Sequence, residues 1–160
     1  MTLAFIALGS NLGDARGQVL GALDALDRLP YTRLLERSSL YLTPPWGVLE
    51  QPAFINAVAR IDTTLSPHDL LDGLLGIERT AGRVRDGERW GPRTLDLDVL
   101  YMDGVELSDK RLTLPHPRIA ERAFVLLPFN ELAPGLVLAG QGRVADLLAA
   151  VETAGCERLA

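Results

Sequence analysis

With 160 residues, 48% of them hydrophobic, the chain can bury one sizeable core, and a single domain spanning 1–160 is expected. A net charge of −5 argues against a general nucleic-acid partner, since such domains carry a basic surplus. One cysteine, Cys156, excludes an intrachain disulfide and suits a reducing compartment. No basic leader opens the chain and no apolar run reaches the ~18 residues of a membrane span, so a soluble, unprocessed, cytoplasmic protein is expected.

Thr2 to Leu8 predicts a first strand, and Gly9-Ser10-Asn11-Leu12-Gly13 a turn. Asp14 is placed to cap a helix running to Leu29, with Val19, Leu23 and Leu26 at core spacing and Pro30 as its stop. Arg33 to Leu42 predicts a strand ending at the Pro44-Pro45 break. Phe54 to Asp62 predicts a third, with Ile55, Ala57, Ala59 and Ile61 on one face and Phe54, Asn56 and Val58 on the other. Ser66-Pro67 opens a second helix with Asp69 in its first turn; Leu70, Leu71, Leu74, Leu75 and Ile77 form its stripe, and Gly82 ends it. His68, in that first turn, is expected at the surface.

Leu95 to Met102 predicts a strand, and Asp103-Gly104 a tight hairpin returning through Val105 to Leu107. Pro117 to Phe129 is expected to be helical in part, and Arg143 to Glu152 to form a short amphipathic helix. The order strand, helix, strand, strand, helix, strand is a split β-α-β pattern. It predicts an α+β, ferredoxin-like sandwich, an antiparallel sheet with helices packed on one face.

The chemistry concentrates in Arg89-Trp90-Gly91-Pro92-Arg93-Thr94-Leu95-Asp96-Leu97-Asp98. On the strand, Leu95, Leu97, Val99 and Tyr101 share one face. Asp96 and Asp98 share the other, with Cα atoms roughly 6.6 Å apart. Two carboxylates at that spacing can converge on one hard cation, or on a pair of cations about 3.5 to 4 Å apart. The spacing also suits a solvated strand face, although Asp is depleted in strands and like charges on one face repel. Arg83, Arg85, Arg89 and Arg93 lie just upstream among glycines, which predicts a loop. The chain has 15 arginines against the single Lys110, so guanidinium forks are its available phosphate clamps. No G-x-x-x-x-G-K-[ST] is present, which makes a P-loop kinase unexpected.

That segment resembles the signature of the 6-hydroxymethyl-7,8-dihydropterin pyrophosphokinases of folate biosynthesis. The likeness runs in order through Ile6-Ala7-Leu8-Gly9-Ser10-Asn11-Leu12-Gly13, Thr43-Pro44-Pro45, Gln51-Pro52 with Phe54-Ile55-Asn56-Ala57, Gly82-Arg83-Val84-Arg85 and Leu114-Pro115-His116-Pro117. The resemblance implies transfer of pyrophosphate from ATP to the hydroxymethyl group of the reduced pterin, giving AMP and the pterin diphosphate. It implies two Mg²⁺ ions on Asp96 and Asp98, with Arg83 and Arg93 on the phosphates and Arg85 and Trp90 closing with the loop. Glu78, Arg111, Thr113, His116 and Arg122 match nucleotide-side positions, and an exposed helical glutamate is the plain alternative for Glu78. Thr43, Pro45, Trp46 and Asn56 match the pterin edge, with Phe54 and Phe124 stacking on its faces, where ordinary core is the alternative. Phe54 stands where a tyrosine can occur, and Trp46 where smaller residues are seen. ATP and the pterin are the expected partners of a monomer, with neither nucleic acid nor membrane. A non-catalytic ferredoxin-like module binding RNA or a nucleotide through the arginine loop is the alternative function; the stacking aromatics it needs on central strands do not stand out in the sequence.

Overall fold

The computed structural model describes residues 1–45, 52–82 and 95–159. In chain order its elements are β1 (Thr2–Ser10), α1 (Ala15–Asp27), β2 (Thr32–Arg37), β3 (Tyr41–Thr43), β4 (Phe54–Thr63), α2 (Pro67–Gly82), β5 (Asp96–Met102), β6 (Leu107–Ser108), β7 (Thr113–Leu114), α3 (Ala123–Leu132), β8 (Val137–Leu138), β9 (Gly142–Arg143), α4 (Val144–Ala149) and β10 (Glu157–Arg158). The main sheet runs β10-β3-β4-β1-β5, with β2 also on β4, and its pairs are antiparallel. β1 is central, pairing with β4 from Thr2↔Thr63 to Ser10↔Ile55 and with β5 on its other side. This is the ferredoxin-like arrangement, as expected.

Local chemistry sets the helix starts. The Asp14 carboxylate accepts from the Gly17 N–H at 3.0 Å, and the Ser66 hydroxyl accepts from the Asp69 N–H at 3.1 Å, satisfying donors that a first turn leaves open. Both helices then bury one stripe against the sheet: Val19, Leu23 and Leu26 from α1, Leu70 and Leu74 from α2, over Ile6, Leu8, Ile61, Leu97 and Val99.

The opposite face is covered too, contrary to the expectation of helices on one face. Ile119 just before α3, Val125, Leu126 and Phe129 of α3 and Val144 of α4 pack onto Phe5, Val58 and Leu100. The reason is visible in β1, whose Leu3 and Phe5 are as apolar as Ala4 and Ile6. A strand apolar on both sides must be covered on both.

Four further departures have identifiable causes. The strand expected over Arg33 to Leu42 divides at Ser38, whose hydroxyl takes the Val58 N–H (2.9 Å) while its own N–H donates to Val58 O (2.9 Å). The edge thus stays paired through a side chain. Tyr101 leaves the Leu95/Leu97/Val99 face because Leu100 is inserted between the pairs Ile6↔Val99 and Phe5↔Tyr101. Its ring then meets Phe5, with centroids 6.2 Å apart. Asp103-Gly104 does turn, with Gly104 at φ 73°, but the chain does not return along β5. Asp109 accepts from the Arg111 and Leu112 N–H groups, which closes a separate β6–β7 hairpin. Finally, β10 pairs with β3, an element too short for any periodicity to announce.

Candidate active site

Direct cross-strand pairing brings Tyr41, Asn56, Gly9 and Asp96 into one row on the α3 face of the sheet, and Val58, Ala7 and Asp98 into the next. At about 4.8 Å per strand, Asn56 and Asp96 stand roughly 10 Å apart across β1. Between them Gly9 and Ala7 contribute almost no side chain. The result is a flat floor with an amide at one end and two carboxylates at the other. α3 begins only at Ala123, so it covers the Phe5 end of this face and leaves the Gly9 end open.

The opening is a cleft of about 210 Å³ lined by Gly9, Thr43, Phe54, Asn56, Asp96 and Asp98, with Arg122 and Phe124 from the start of α3 forming its rim. Asn56 is only 7% exposed, and its Nδ2 donates to Thr43 Oγ1 at 2.7 Å. The Arg122 guanidinium carbon lies 5.7 Å from the Phe124 ring centre, a cation–π contact at the mouth. Arg122 Nε is buried and has no hydrogen-bond partner among the described residues.

On β5, the N–H of Leu97, the residue between the two aspartates, points away from β1 and donates to Glu78 Oε2 on α2 at 2.7 Å. Glu78 thereby satisfies an open strand edge and fixes the stretch that carries both carboxylates. His116 approaches from the segment after β7, its N–H donating to Leu100 O at 2.9 Å. His116 Nδ1 accepts from the Arg118 N–H at 3.1 Å, which leaves the neutral ring's proton on Nε2. Burial, then the Arg122 and Arg118 charges, push its pKa down to about 4, with Asp96 opposing.

A profile of the 7,8-dihydro-6-hydroxymethylpterin-pyrophosphokinase family matches residues 5–134. The chain belongs to this family. The 2-amino-4-hydroxy-6-hydroxymethyldihydropteridine pyrophosphokinase of Methylorubrum extorquens is 48% identical over 159 residues, 99% of each chain. That of Pseudomonas aeruginosa is 52% identical over 155 residues, 97% of this chain and 95% of its own. The crystal structure of Plasmodium falciparum HPPK-DHPS superposes with a TM-score of 0.70 at 14% identity, over 92% of this chain and 40% of that one. There the likeness is one of fold, and this chain spans less than half the length of that protein.

Of the residues expected from the family signature, the cleft brings together Thr43, Phe54, Asn56, Asp96, Asp98, Arg122 and Phe124. Pro45 lines a neighbouring hollow with Pro44, Phe124 and Cys156. Glu78 and His116 meet β5, the strand of the two carboxylates, at Leu97 and Leu100, and neither is among the described residues that line the cleft. Arg111, paired with Asp72 of α2, and Thr113, paired with Ser108, belong to the β6–β7 hairpin and do not line the cleft. Trp46, Arg83, Arg85, Trp90 and Arg93 lie outside the described residues. Sequence reasoning missed Gly9 and Ala7, taking Gly9 as part of a turn when it lies within β1. A glycine at the end of an apolar run was the available signal, since glycine inside a strand marks a close approach.

Proposed function

We propose that the chain transfers the pyrophosphoryl group of ATP to the hydroxymethyl oxygen of 6-hydroxymethyl-7,8-dihydropterin, giving AMP and the pterin diphosphate, a step of folate biosynthesis. The observation that carries this is the bare floor with Asn56 at one end and Asp96 and Asp98 at the other. A flat two-ring heterocycle laid on Gly9 and Ala7 would present its amide edge to Asn56 and Thr43. Its short substituent would then point at the carboxylates, and Phe54 and Phe124 supply aromatic surface for the rings.

The donor set fits magnesium. Asp96 and Asp98 offer hard oxygens on one face of one strand, and among the described residues no group of three or more His, Cys, Asp or Glu could hold a metal ion. That leaves coordination positions for phosphate oxygens and water, as Mg²⁺ prefers. Mg²⁺ held there, two ions by family resemblance, would neutralise phosphate charge and favour ionisation of the attacking alcohol. The protein's own part is positioning. Asn56 and Thr43 orient the acceptor, Arg122 brings a cation to the mouth, and Glu78 holds the carboxylate strand. Arg83 and Arg93 are assigned to the phosphates, and Arg85 and Trp90 to exclusion of water, on residue type and resemblance. Glu78, Arg111, Thr113, His116 and Arg122 are assigned to the nucleotide on resemblance.

The non-catalytic RNA-binding alternative is not favoured. An RNA-recognition surface of this fold needs an open sheet face, and here α3 and α4 cover much of it. A monomeric, cytoplasmic, single-domain enzyme completes the proposal; among the described residues no helix is long and apolar enough to cross a membrane. The test is turnover of purified protein. AMP should form only when ATP, Mg²⁺ and the reduced pterin are all present, and Asp96→Ala and Asp98→Ala should each lose most of the rate while keeping the fold. Near-normal turnover of both variants at saturating Mg²⁺ would return the pair to solvated charge.

A further inference from the structure

We propose that Gly9 is a positioning residue for pterin recognition: it leaves the clearance that lets the Asn56 amide lie across β1, and so sets the affinity and selectivity of the pterin end of the cleft. This rests on the reading of Asn56 as the group that meets the pterin edge. Glycine inside a strand loses packing and conformational entropy, so its presence needs a cause. Backbone conformation supplies none, because Gly9 is not one of the glycines with positive φ, which among the described residues are Gly13, Gly104, Gly140, Gly142 and Gly155.

Space supplies it. A β-carbon on Gly9 would sit 2.6 Å from Asn56 Oδ1 and 3.7 Å from its Cγ, with the next atom, Ile55 O, at 3.9 Å. A single side-chain oxygen is therefore the whole obstruction. Neither side can yield freely. β1 is paired at Gly9 with both Asn56 and Asp96, which pins its backbone. Asn56 is tied to Thr43 Oγ1 at 2.7 Å, and shifting its amide would stretch or break that bond. Gly9→Ala must then swing the amide away from the floor and loosen Thr43 with it.

Steady-state kinetics on Gly9→Ala, Asn56→Ala and the double variant decide the matter, with affinity for a non-hydrolysable ATP analogue measured alongside. Gly9→Ala should raise the KM for the reduced pterin by about tenfold or more, while kcat and ATP-analogue affinity change by less than about threefold. In the Asn56→Ala background the same substitution should change the pterin KM by less than about threefold, because the amide through which it acts is gone and only the methyl's own contact with the ring remains. An unchanged pterin KM in Gly9→Ala, or an equal loss in both backgrounds, would overturn the proposal; the second result would mean that the added methyl blocks the ligand itself. Asn56→Ala with unaltered pterin KM would overturn the reading of Asn56, and the proposal with it. Should Gly9→Ala fail to fold, recovery of the fold in the double variant supports the clearance argument, and failure to recover overturns it.

Discussion

Asn56 does two jobs with one amide, donating to Thr43 and facing the cleft, and the cost of removing it should fall on substrate affinity. Asn56→Ala is expected to weaken reduced-pterin binding by about 1–3 kcal/mol, the range for an unmade hydrogen bond to a buried group, with ATP-analogue binding unchanged in the same titration. His116 makes a different prediction. Its pKa in the fold, about 4, lies below the ordinary 6.5, so between those values the unfolded chain binds the extra proton. Stability from this group is complete above about pH 6.5 and is lost as pH falls toward 4. His116→Gln should flatten that part of the pH dependence of the denaturation midpoint. A variant as acid-sensitive as the wild type would show that the ring is not the source.

Two glutamates fasten elements around the cleft: Glu131, which nothing in the sequence singles out, and Glu78, whose contact with Leu97 its place in the sequence does not show. Glu131 of α3 accepts from the Ser39 N–H at 3.0 Å and the Tyr41 hydroxyl at 2.9 Å, latching the helix that carries the rim to the start of β3. Burial and this carboxylate push Tyr41 up to about 12. Glu131→Ala should cost about 1–3 kcal/mol in denaturant unfolding. Glu78→Ala should release the edge of β5 and lower kcat, whereas Glu78→Gln, which keeps an acceptor for Leu97, should retain most of it. If the two Glu78 variants lose activity alike, the charge matters and not the strand contact. What sequence made legible was whatever depends on local period and caps: the Asp14 and Ser66 helix starts, the two faces of β4, the paired aspartates. What escaped depends on partners distant in sequence. Ser38 against Val58, the Leu100 insertion opposite Phe5 and the pairing of β10 with β3 leave no local mark. Gly9 did leave one, and its meaning appears only beside Asn56.

At the scale of the molecule, the sheet is sandwiched between two cores, and the cleft exists because the second stops short of the Gly9 end. Phe129, fully buried against Phe5 with ring centroids 5.0 Å apart, anchors that second core. Phe129→Ala is expected to cost about 3–5 kcal/mol and to weaken pterin binding through the displaced rim, whereas Leu26→Ala, on the far core, should cost about 2–5 kcal/mol with the site left intact in whatever fraction stays folded. Pyrophosphoryl transfer breaks ATP between its α- and β-phosphorus. Incubation with Mg²⁺, the reduced pterin and ATP labelled at the β-phosphorus should carry the label into the pterin product, one equivalent for each AMP released. Label retained in ADP, with a pterin bearing a single phosphate, would contradict the account.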